Sequence, residues 1–579
     1  MNGTASVFSD DAVPPSDLWR STERFCVLDT CFGNGSSFAT LRKTWKNSPG
    51  NCRKLHYIGL CGDQDAPPPH DFQQSWPLPL PGHHHIPLSN DPEVQLTLVF
   101  GKTRKALQTL AATFDLLLLL GEEHHAADLA RVSRRGTTFY TRSKSEVFWD
   151  ALQRAGFTIE ENSTLFTRGS FRGAHQRTHC AKPYSGSKRA IVIGAGLAGT
   201  AAAASLASRN WSVTVFEKQQ APAMGASGNL SAAISPMLSK DDGIAARLSR
   251  ACFLALLAEL RRLDASPHPA KWAACGLLQL AKDDKEAALF RDIIESSVYP
   301  PQFVRFLNKD EASAQAGCQV PGAGFYFPQG GWVNPPSLCH ARLHSPQIRL
   351  CHNIDISDIG FEKGVWRVQD KHSGYLEEAP VLILANAFEA ARFSQCEKMH
   401  FKKVRGQVTH LAPTALPPYH GVISRNGYLT PALEGLCSLG ATYDFDSDEK
   451  ELDAECQQVN LARISSLLDG VAIGPRELAG RVGFRSLTAD RLPVIGAIPD
   501  YTALSTGTPN VKTIARRQGL YGLLGLGSRG VVWSTLAGET LAALIEGEPS
   551  PLPSDLLGAM DPARFLEREY RKSNSTRMS

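Results

Sequence analysis

Long apolar runs are missing from this sequence. The longest leucine run, Leu116–Leu120, is only strand-sized, so no stretch reads as a membrane-spanning helix and no membrane partner is expected. A basic-then-apolar leader is missing too: the opening MNGTASVFSDD is polar and acidic, and the expectation is a cytoplasmic protein. The thirteen cysteines are scattered, odd in number and never spaced as CxxC, which argues against a disulfide framework and against a zinc site. Most of them read as small buried hydrophobes. His83–His85 and His124–His125 have no further partner at metal-ligand spacing, so solvated loops are expected there and no metal. Strong charge of one sign is also lacking. With Lys+Arg 61 against Asp+Glu 57, the net charge of +4 does not by itself establish a nucleic-acid partner. Local basic stretches such as Arg131–Arg135 and Lys402–Arg405 are where phosphates would be met.

The sequence does have room for two or three domains in its 579 residues, at an ordinary 42% hydrophobic and 20% charged. Strand-like runs at Phe25–Thr30, Leu55–Leu60, Val94–Phe100 and Phe114–Leu120 alternate with helical segments, which implies a parallel α/β sheet. A glycine turn through Gly33 and Gly35 follows the first run and opens a helix over Ser37–Trp45. Such a turn suits a methyltransferase that uses S-adenosylmethionine as well as it suits a generic nucleotide fold. The stretch Ser170–Lys188, rich in Ser, Gly, Arg and His and without periodicity, reads as a linker.

The most informative stretch is Arg189–Lys218, which reads as strand, glycine turn, helix, strand and acid. Gly194 permits the tight turn, Gly196 lets the backbone approach a pyrophosphate at the helix N-terminus, and Gly199 allows helix and strand to pack closely. Glu217, closing the second strand, is placed to accept hydrogen bonds from the ribose of an adenosine. Ser227, Gly228 and Asn229 form a small-residue turn suited to a further phosphate or flavin contact. A helix is expected over Asp242–Leu263, a buried strand at Val381–Ala385, and an antiparallel sheet built from Ser266–Gly331 and Phe401–Gly483. Near the end, Gly527, Ser528 and Gly530 make another glycine turn just before the helix Ser534–Glu546. Two helix-opening turns so far apart in sequence suggest one cofactor long enough to need both, and FAD is such a molecule.

These motifs, together with GASGN, FPQGGW (Phe327–Trp332), RGQV (Arg405–Val408), GYLTP (Gly427–Pro431), GFR (Gly483–Arg485) and RLPVIGAIPD (Arg491–Asp500), resemble the oxidase half of the MnmC family. That family comprises bifunctional tRNA wobble-uridine modification enzymes. FGNGSSFATL, WPLPLPG and FWDALQRAGF resemble its methyltransferase half. The resemblance implies a shortened, Rossmann-like methyltransferase-type domain over 1–169 and a linker over 170–188. It implies a glycine-oxidase-type FAD-binding domain over 189–264, 345–400 and 484–579, with a substrate domain over 265–344 and 401–483. It implies FAD, S-adenosylmethionine and a tRNA substrate, whose carboxymethylaminomethyl uridine would lose its carboxymethyl group before methylation.

The resemblance further places Arg485 and Arg529 in substrate-contacting motifs, with Tyr428 as a hydroxyl donor. The planar guanidinium suits a carboxylate held beside a flavin. The other readings stay open: Arg485 as the cap of a surface turn, Arg529 as a partner of the flavin ring, Tyr428 as core packing. The first half departs from the family, because Leu120 stands where an aspartate should orient the amine and Cys61 where an acid should hold the donor's ribose. Asp63 and Glu122 are candidate replacements, and each would need the backbone to shift. The expectation is an oxidase whose methyltransferase half is degenerate. Its rivals are an oxidase of free small amines, such as glycine or sarcosine, and a non-catalytic tRNA-binding protein.

Overall fold

The computed structural model describes residues 19–570 apart from 20–22, 49–51, 63–75, 87, 89, 90, 92, 121–124, 163–165, 175–183, 298, 373, 446, 475–477, 504–510 and 512. The chain divides into two compact units, one holding residues 1–184 with 543–557, the other residues 185–542 with 558–579. Among the described residues no helix is long and apolar enough to cross a membrane.

The first unit is built on an eight-stranded sheet. Its order is Gly82–Ile86, Val94–Phe100, Lys54–Cys61, Arg24–Asp29, Phe114–Leu119, Ser133–Thr141, Thr167–Phe171, Phe157–Asn162. The five strands from Val94–Phe100 to Ser133–Thr141 run parallel, and the outer ones pair antiparallel. The expected strands therefore form, and a shortened sequence still closes a full sheet with an apolar cluster on each face. Strand order runs outward from Arg24–Asp29 on one side and then resumes at Phe114–Leu119 on the other. That reversal makes a crevice at the C-terminal ends of these two strands, the place where open α/β sheets take ligands.

Three expectations are corrected here. Gly82–Ile86 is an edge strand instead of a loop, and His83 and His84 are buried in it. His84 Nε2 bonds the Leu80 carbonyl at 2.6 Å, and burial pushes the His83 imidazole down to about 4. His124 lies outside the described residues, while His125 precedes the helix Ala126–Arg131. Ser170 and Phe171 complete a strand, so the expected linker begins too early. Residues 543–557, assigned above to the FAD-binding domain, are fastened to the first sheet instead. Arg24 Nη2 donates to the Gly547 carbonyl at 2.6 Å and Lys54 Nζ pairs with Glu548 at 2.9 Å.

The second unit contains a six-stranded sheet in the order Ile348–Cys351, Ser212–Phe216, Arg189–Ile193, Val381–Leu384, Arg516–Leu524, Val494–Pro499. All its pairings are parallel except the last. The helix Leu197–Ala207 returns over this sheet and is buried on nearly every side. Its alanines suit that position, since side chains this small let neighbours approach all round. One such neighbour is the helix Gly530–Glu546, where a Cβ on Gly538 would lie 2.7 Å from the backbone of Ala201.

A second eight-stranded sheet joins Arg305–Leu307, Gly324–Phe327, Leu277–Leu280, Val422–Ser424, Tyr428–Leu429, Cys437–Gly440, Lys402–Leu411 and Gly480–Leu487, in that order. It is not wholly antiparallel, because Leu277–Leu280 and Val422–Ser424 run parallel. These two strands come from separate segments of the chain, so no hairpin dictates their direction. The sheet also includes Gly480–Leu487 entire, which moves residues 484–487 out of the expected FAD-binding domain and Arg485 onto a strand.

Candidate active site

At the end of Arg189–Ile193, Gly194 turns the chain with φ +104, and a Cβ there would lie 2.8 Å from the Ala385 carbonyl oxygen. At Gly199 a Cβ would fall 1.8 Å from the Gly194 carbonyl oxygen, so the helix approaches the turn as closely as backbone allows. Glu217 is buried and already engaged: Oε2 accepts from the Ala195 N–H at 2.8 Å and Oε1 from the Gln219 N–H at 2.9 Å. It therefore fastens the Gly194–Ala195 turn to the end of the next strand. A carboxylate has about four lone-pair sites, so acceptance from ribose hydroxyls remains open to it.

Ser227 Oγ accepts from the Leu197 N–H at 3.1 Å, which puts a hydroxyl at the N-terminus of the helix Leu197–Ala207. Gly228 and Asn229 are half-buried in the same turn. The later glycine turn comes to this place as well. Gly527–Arg529 forms a short 3-10 turn, and a Cβ on Gly530 would touch Leu197 Cδ1 at 3.4 Å, while Ser528 is exposed. Asn386, which sequence reasoning missed, follows the buried strand Val381–Leu384. Its Cα is 3.2 Å from where a Gly194 Cβ would be, and both polar atoms of its amide are buried without a partner. The only hint in the sequence is its position one residue beyond a strand that flanks the glycine turn.

Strand order reverses between Arg189–Ile193 and Val381–Leu384, which is where such sheets bind dinucleotides. A cradle of bare backbone, a helix N-terminus and an orphaned amide fits FAD, because each offers a hydrogen-bonding group to phosphate or ribose that the protein itself leaves unused.

Tyr428, Gly440, Val408 and Arg481 stand opposite one another across three strand pairings, followed by the pairs Gly406 with Gly483 and Val404 with Arg485. Directly opposed residues share a face, so Tyr428, Arg481 and Arg485 look out from one side of the sheet. The glycines have a reason: a Cβ on Gly406 would lie 2.2 Å from Arg485 Nη1, so this guanidinium lies across bare backbone. Arg485 Nη1 donates to the Thr442 carbonyl at 3.1 Å and the guanidinium rests 5.3 Å from the Tyr443 ring centre. Burial pushes its pKa below the usual arginine range, with nearby Tyr428 and Tyr443 working in the opposite direction. A half-buried position within a strand overturns the reading of Arg485 as the cap of a surface turn. Tyr428 Oη donates to the Ser231 carbonyl at 3.5 Å, and burial raises its pKa.

Arg529 Nη1 donates to the Ser235 carbonyl at 3.1 Å, and burial pushes it down to about 10. Among the described residues neither Arg485 nor Arg529 pairs with a carboxylate. Two half-buried guanidiniums without an anion leave charge uncompensated, and an anionic ligand would supply the missing partner. Arg481, also missed from the sequence, donates from Nη2 to the carbonyls of Met224 and Gly225, both at 2.6 Å. It thereby ties the substrate sheet to the turn that carries Ser227. Arg405, by contrast, points to the opposite face and donates to the Glu449 and Glu451 carbonyls at 2.8 Å, pinning the loop that follows Tyr443.

In the first unit Gly33 and Gly35 have φ of 54 and 76 and open the helix Ser36–Asn47, as the sequence predicts. Asp29, fully buried, accepts from the Cys31 N–H at 3.0 Å and the Tyr57 hydroxyl at 2.5 Å. At the crevice, however, Cys61 is buried in an apolar cluster and Leu120 packs against it. Thr30 Oγ1 bonds both the N–H and the carbonyl of Leu120, at 2.9 and 2.8 Å, so this backbone is held in place. Asp63 and Glu122 lie outside the described residues. Among the described residues no group of three metal-ligating side chains gathers.

Residues 189–544 match a family model described as FAD dependent oxidoreductase. The chain is 36% identical to the tRNA 5-methylaminomethyl-2-thiouridine biosynthesis bifunctional protein MnmC of Azoarcus sp. strain BH72, over 96% of this chain and 92% of that one. It is 33% identical to the protein of the same name from Burkholderia cenocepacia strain HI2424, over 96% and 91%. Among solved structures it is similar to glycine oxidase from Geobacillus kaustophilus, with a TM-score of 0.53 and 23% identity over 65% of this chain and 99% of that one. Iminodiacetate oxidase from Chelativorans sp. BNC1 gives a TM-score of 0.51 and 22% identity, over 65% and 99%. At these identities the solved structures speak to the fold.

Proposed function

The chain belongs to the MnmC family of bifunctional tRNA modification proteins and carries its FAD-dependent oxidoreductase half, and on that premise we propose that it oxidatively removes the carboxymethyl group from a 5-carboxymethylaminomethyl uridine at the tRNA wobble position. The product is the 5-aminomethyl uridine. The observation that carries this reading is Arg485, a half-buried guanidinium laid across Gly406 with no carboxylate partner among the described residues. The modified base is an N-substituted glycine and supplies that carboxylate.

FAD, when bound, supplies the two-electron acceptor for a hydride leaving the carbon between the amine and the carboxylate. Gly194, Gly196, Glu217 and Asn386 would hold its ribose and phosphates, and the Gly527–Gly530 turn would approach it from the other side. Arg485 fixes the carboxylate, and a fixed carboxylate fixes the adjacent carbon, which is where positioning is worth most. Tyr428 narrows the same face. Water adds to the resulting carbon–nitrogen double bond, and the adduct collapses to the primary amine on the base and free glyoxylate. Little acid–base chemistry is asked of the protein.

The methyl-transfer step of the family is proposed to be lost in this chain. Leu120 and Cys61 put hydrocarbon and a buried thiol where an acceptor for the amine and an anchor for the donor's ribose are needed. A cytoplasmic setting, where tRNA is found, goes with this reading. The experiment is nucleoside analysis of tRNA bearing the carboxymethylaminomethyl group after incubation with the purified protein, with and without S-adenosylmethionine. Accumulation of the aminomethyl nucleoside in both cases supports the proposal. Unaltered tRNA refutes the oxidase reading, and a methylaminomethyl product refutes the loss of methyl transfer.

A further inference from the structure

Two aromatic rings stand in solvent beside Arg485. Tyr443 is 40% exposed and Phe445 49%, and their ring centres are 5.2 Å apart at an interplanar angle of 70°. The Tyr443 ring lies over the Arg485 guanidinium, 5.3 Å away. Lys402, exposed at the start of the neighbouring strand, places its Nζ 6.0 Å from the Phe445 ring centre. Neighbouring exposed rings are an expense to a folded protein unless something covers them.

We propose that Tyr443 and Phe445 form a stacking rim for nucleobases of the tRNA anticodon loop, with Tyr443 beside the modified uracil and Phe445 beside an adjacent base. This inference rests on the tRNA reading above. The geometry follows from the substrate's reach. Four bonds of about 1.5 Å separate the uracil ring carbon from the carboxylate carbon, roughly 5 Å when the chain is extended. With the carboxylate on Arg485, and roughly 4 Å between the two paired carbons, the uracil can lie up to about 9 Å from the guanidinium, within reach of Tyr443 and of the Phe445 ring 5.2 Å from it. Unstacked loop bases are the form in which RNA is read by aromatic side chains.

The chemistry of the surrounding loop separates stacking from charge attraction. Asp444 lies between the two rings in sequence, Asp446, Asp448, Glu449 and Glu451 follow them, and Lys403 is already paired with Asp448. A phosphate backbone gains little there. The rim therefore holds bases through their faces, a contact that is tolerant of salt, whereas phosphate binding weakens steeply with it.

The test is a binding titration of the FAD-loaded protein with a fluorescent anticodon stem-loop bearing the carboxymethylaminomethyl uridine, followed by oxidation of the same RNA. Phe445→Leu keeps the apolar bulk and removes the ring, and is expected to raise Kd roughly five- to a hundredfold, the range one stacked base carries. Phe445→Trp restores binding, and Tyr443→Phe retains it. The slope of binding against salt is the same in Phe445→Leu and the wild type. Wild-type affinity in both Phe445→Leu and Tyr443→Ala overturns the rim and leaves the proposed reaction standing. Binding by the wild type without oxidation overturns the reaction and leaves the rim standing. Failure of the wild type to bind this RNA overturns both.

Discussion

Both units present the same opening, a central parallel strand running into a glycine turn and a helix, and the difference lies in what stands at the ends of the flanking strands. Around Gly194 those positions hold Glu217 and Asn386, a carboxylate engaged with the turn and an amide with both polar atoms unspent. Around Gly33 they hold Cys61, buried in an apolar cluster, and Leu120, half-buried against it. A glycine turn thus provides access for a ligand, and the neighbouring strand ends decide whether anything there can hold one. In the first unit the fold and the glycine turn are present, and the side chains at these two strand ends pack against apolar neighbours.

The largest effect expected is from Gly199→Val. Its Cβ would fall 1.8 Å from the Gly194 carbonyl oxygen, a backbone atom that cannot step aside, so both FAD retention and thermal stability should be lost. Gly196→Val sharpens the point, since a Cβ there meets only the Ser227 hydroxyl, at 3.0 Å. It should remove FAD and leave the fold. Flavin absorbance and a melting curve on each variant separate the two outcomes. Equal FAD content in Gly196→Val and the wild type would show that the pyrophosphate does not lie there.

The next is the absence of a product. With S-adenosylmethionine and modified tRNA, the wild-type protein should form no methylaminomethyl nucleoside, and Leu120→Asp alone should not restore it, because the donor's ribose would still face Cys61. Methyl transfer depends chiefly on alignment of amine and sulfonium, and Leu120 and Cys61 themselves offer neither partner an anchor. Formation of the methylated nucleoside would break the comparison between the two units.

Much of this was legible in the sequence, and unevenly. The stretch Arg189–Lys218 carries its own topology, since each element is short-range and each glycine has a steric duty. The same holds for Gly33 and Gly35. The His83–His85 strand was not legible, because histidine in series resembles a loop until Val94–Phe100 pairs beside it and Phe100 packs on His84. Nor was the grouping of residues 543–557 with the first sheet, which depends on Arg24 and Lys54 far away in sequence. Arg485 was named from a motif, and its half-buried place across Gly406 follows only from strand register. Arg481, two residues before that motif, carried no signal at all.

Arg485→Lys comes third. The ammonium keeps the charge and loses the planar fork, so KM for modified tRNA should rise about ten- to a hundredfold, the equivalent of roughly 1.5–3 kcal/mol for a charge-assisted hydrogen bond. FAD content should not change. Steady-state oxidation of modified tRNA reads the effect, and unchanged kinetics would make Arg485 a packing residue.

Arg481→Met is expected to have the smallest effect, and it tests whether the substrate sheet helps to hold the cofactor turn. Arg481 Nη2 bridges the Met224 and Gly225 carbonyls at 2.6 Å each, and a Cβ on Gly228 would lie 2.3 Å from that nitrogen, so the guanidinium lies directly over the turn. Nη1 is buried without a partner, and burial pushes the pKa below the usual range. Methionine keeps most of the bulk and removes both donors. Each hydrogen bond is worth about 0.5–1.5 kcal/mol net, and at this partly exposed rim the lower end applies. Loosening the turn moves Ser227 and the Leu197 N–H it accepts from, so FAD should leave several-fold faster on dilution, read as recovery of free-flavin fluorescence. Arg481→Lys, which can still reach one carbonyl, should fall between the two. An unchanged rate in Arg481→Met would mean that the turn is held from its own domain, by the Ala223 N–H on the Ala195 carbonyl and by the Ser227 cap.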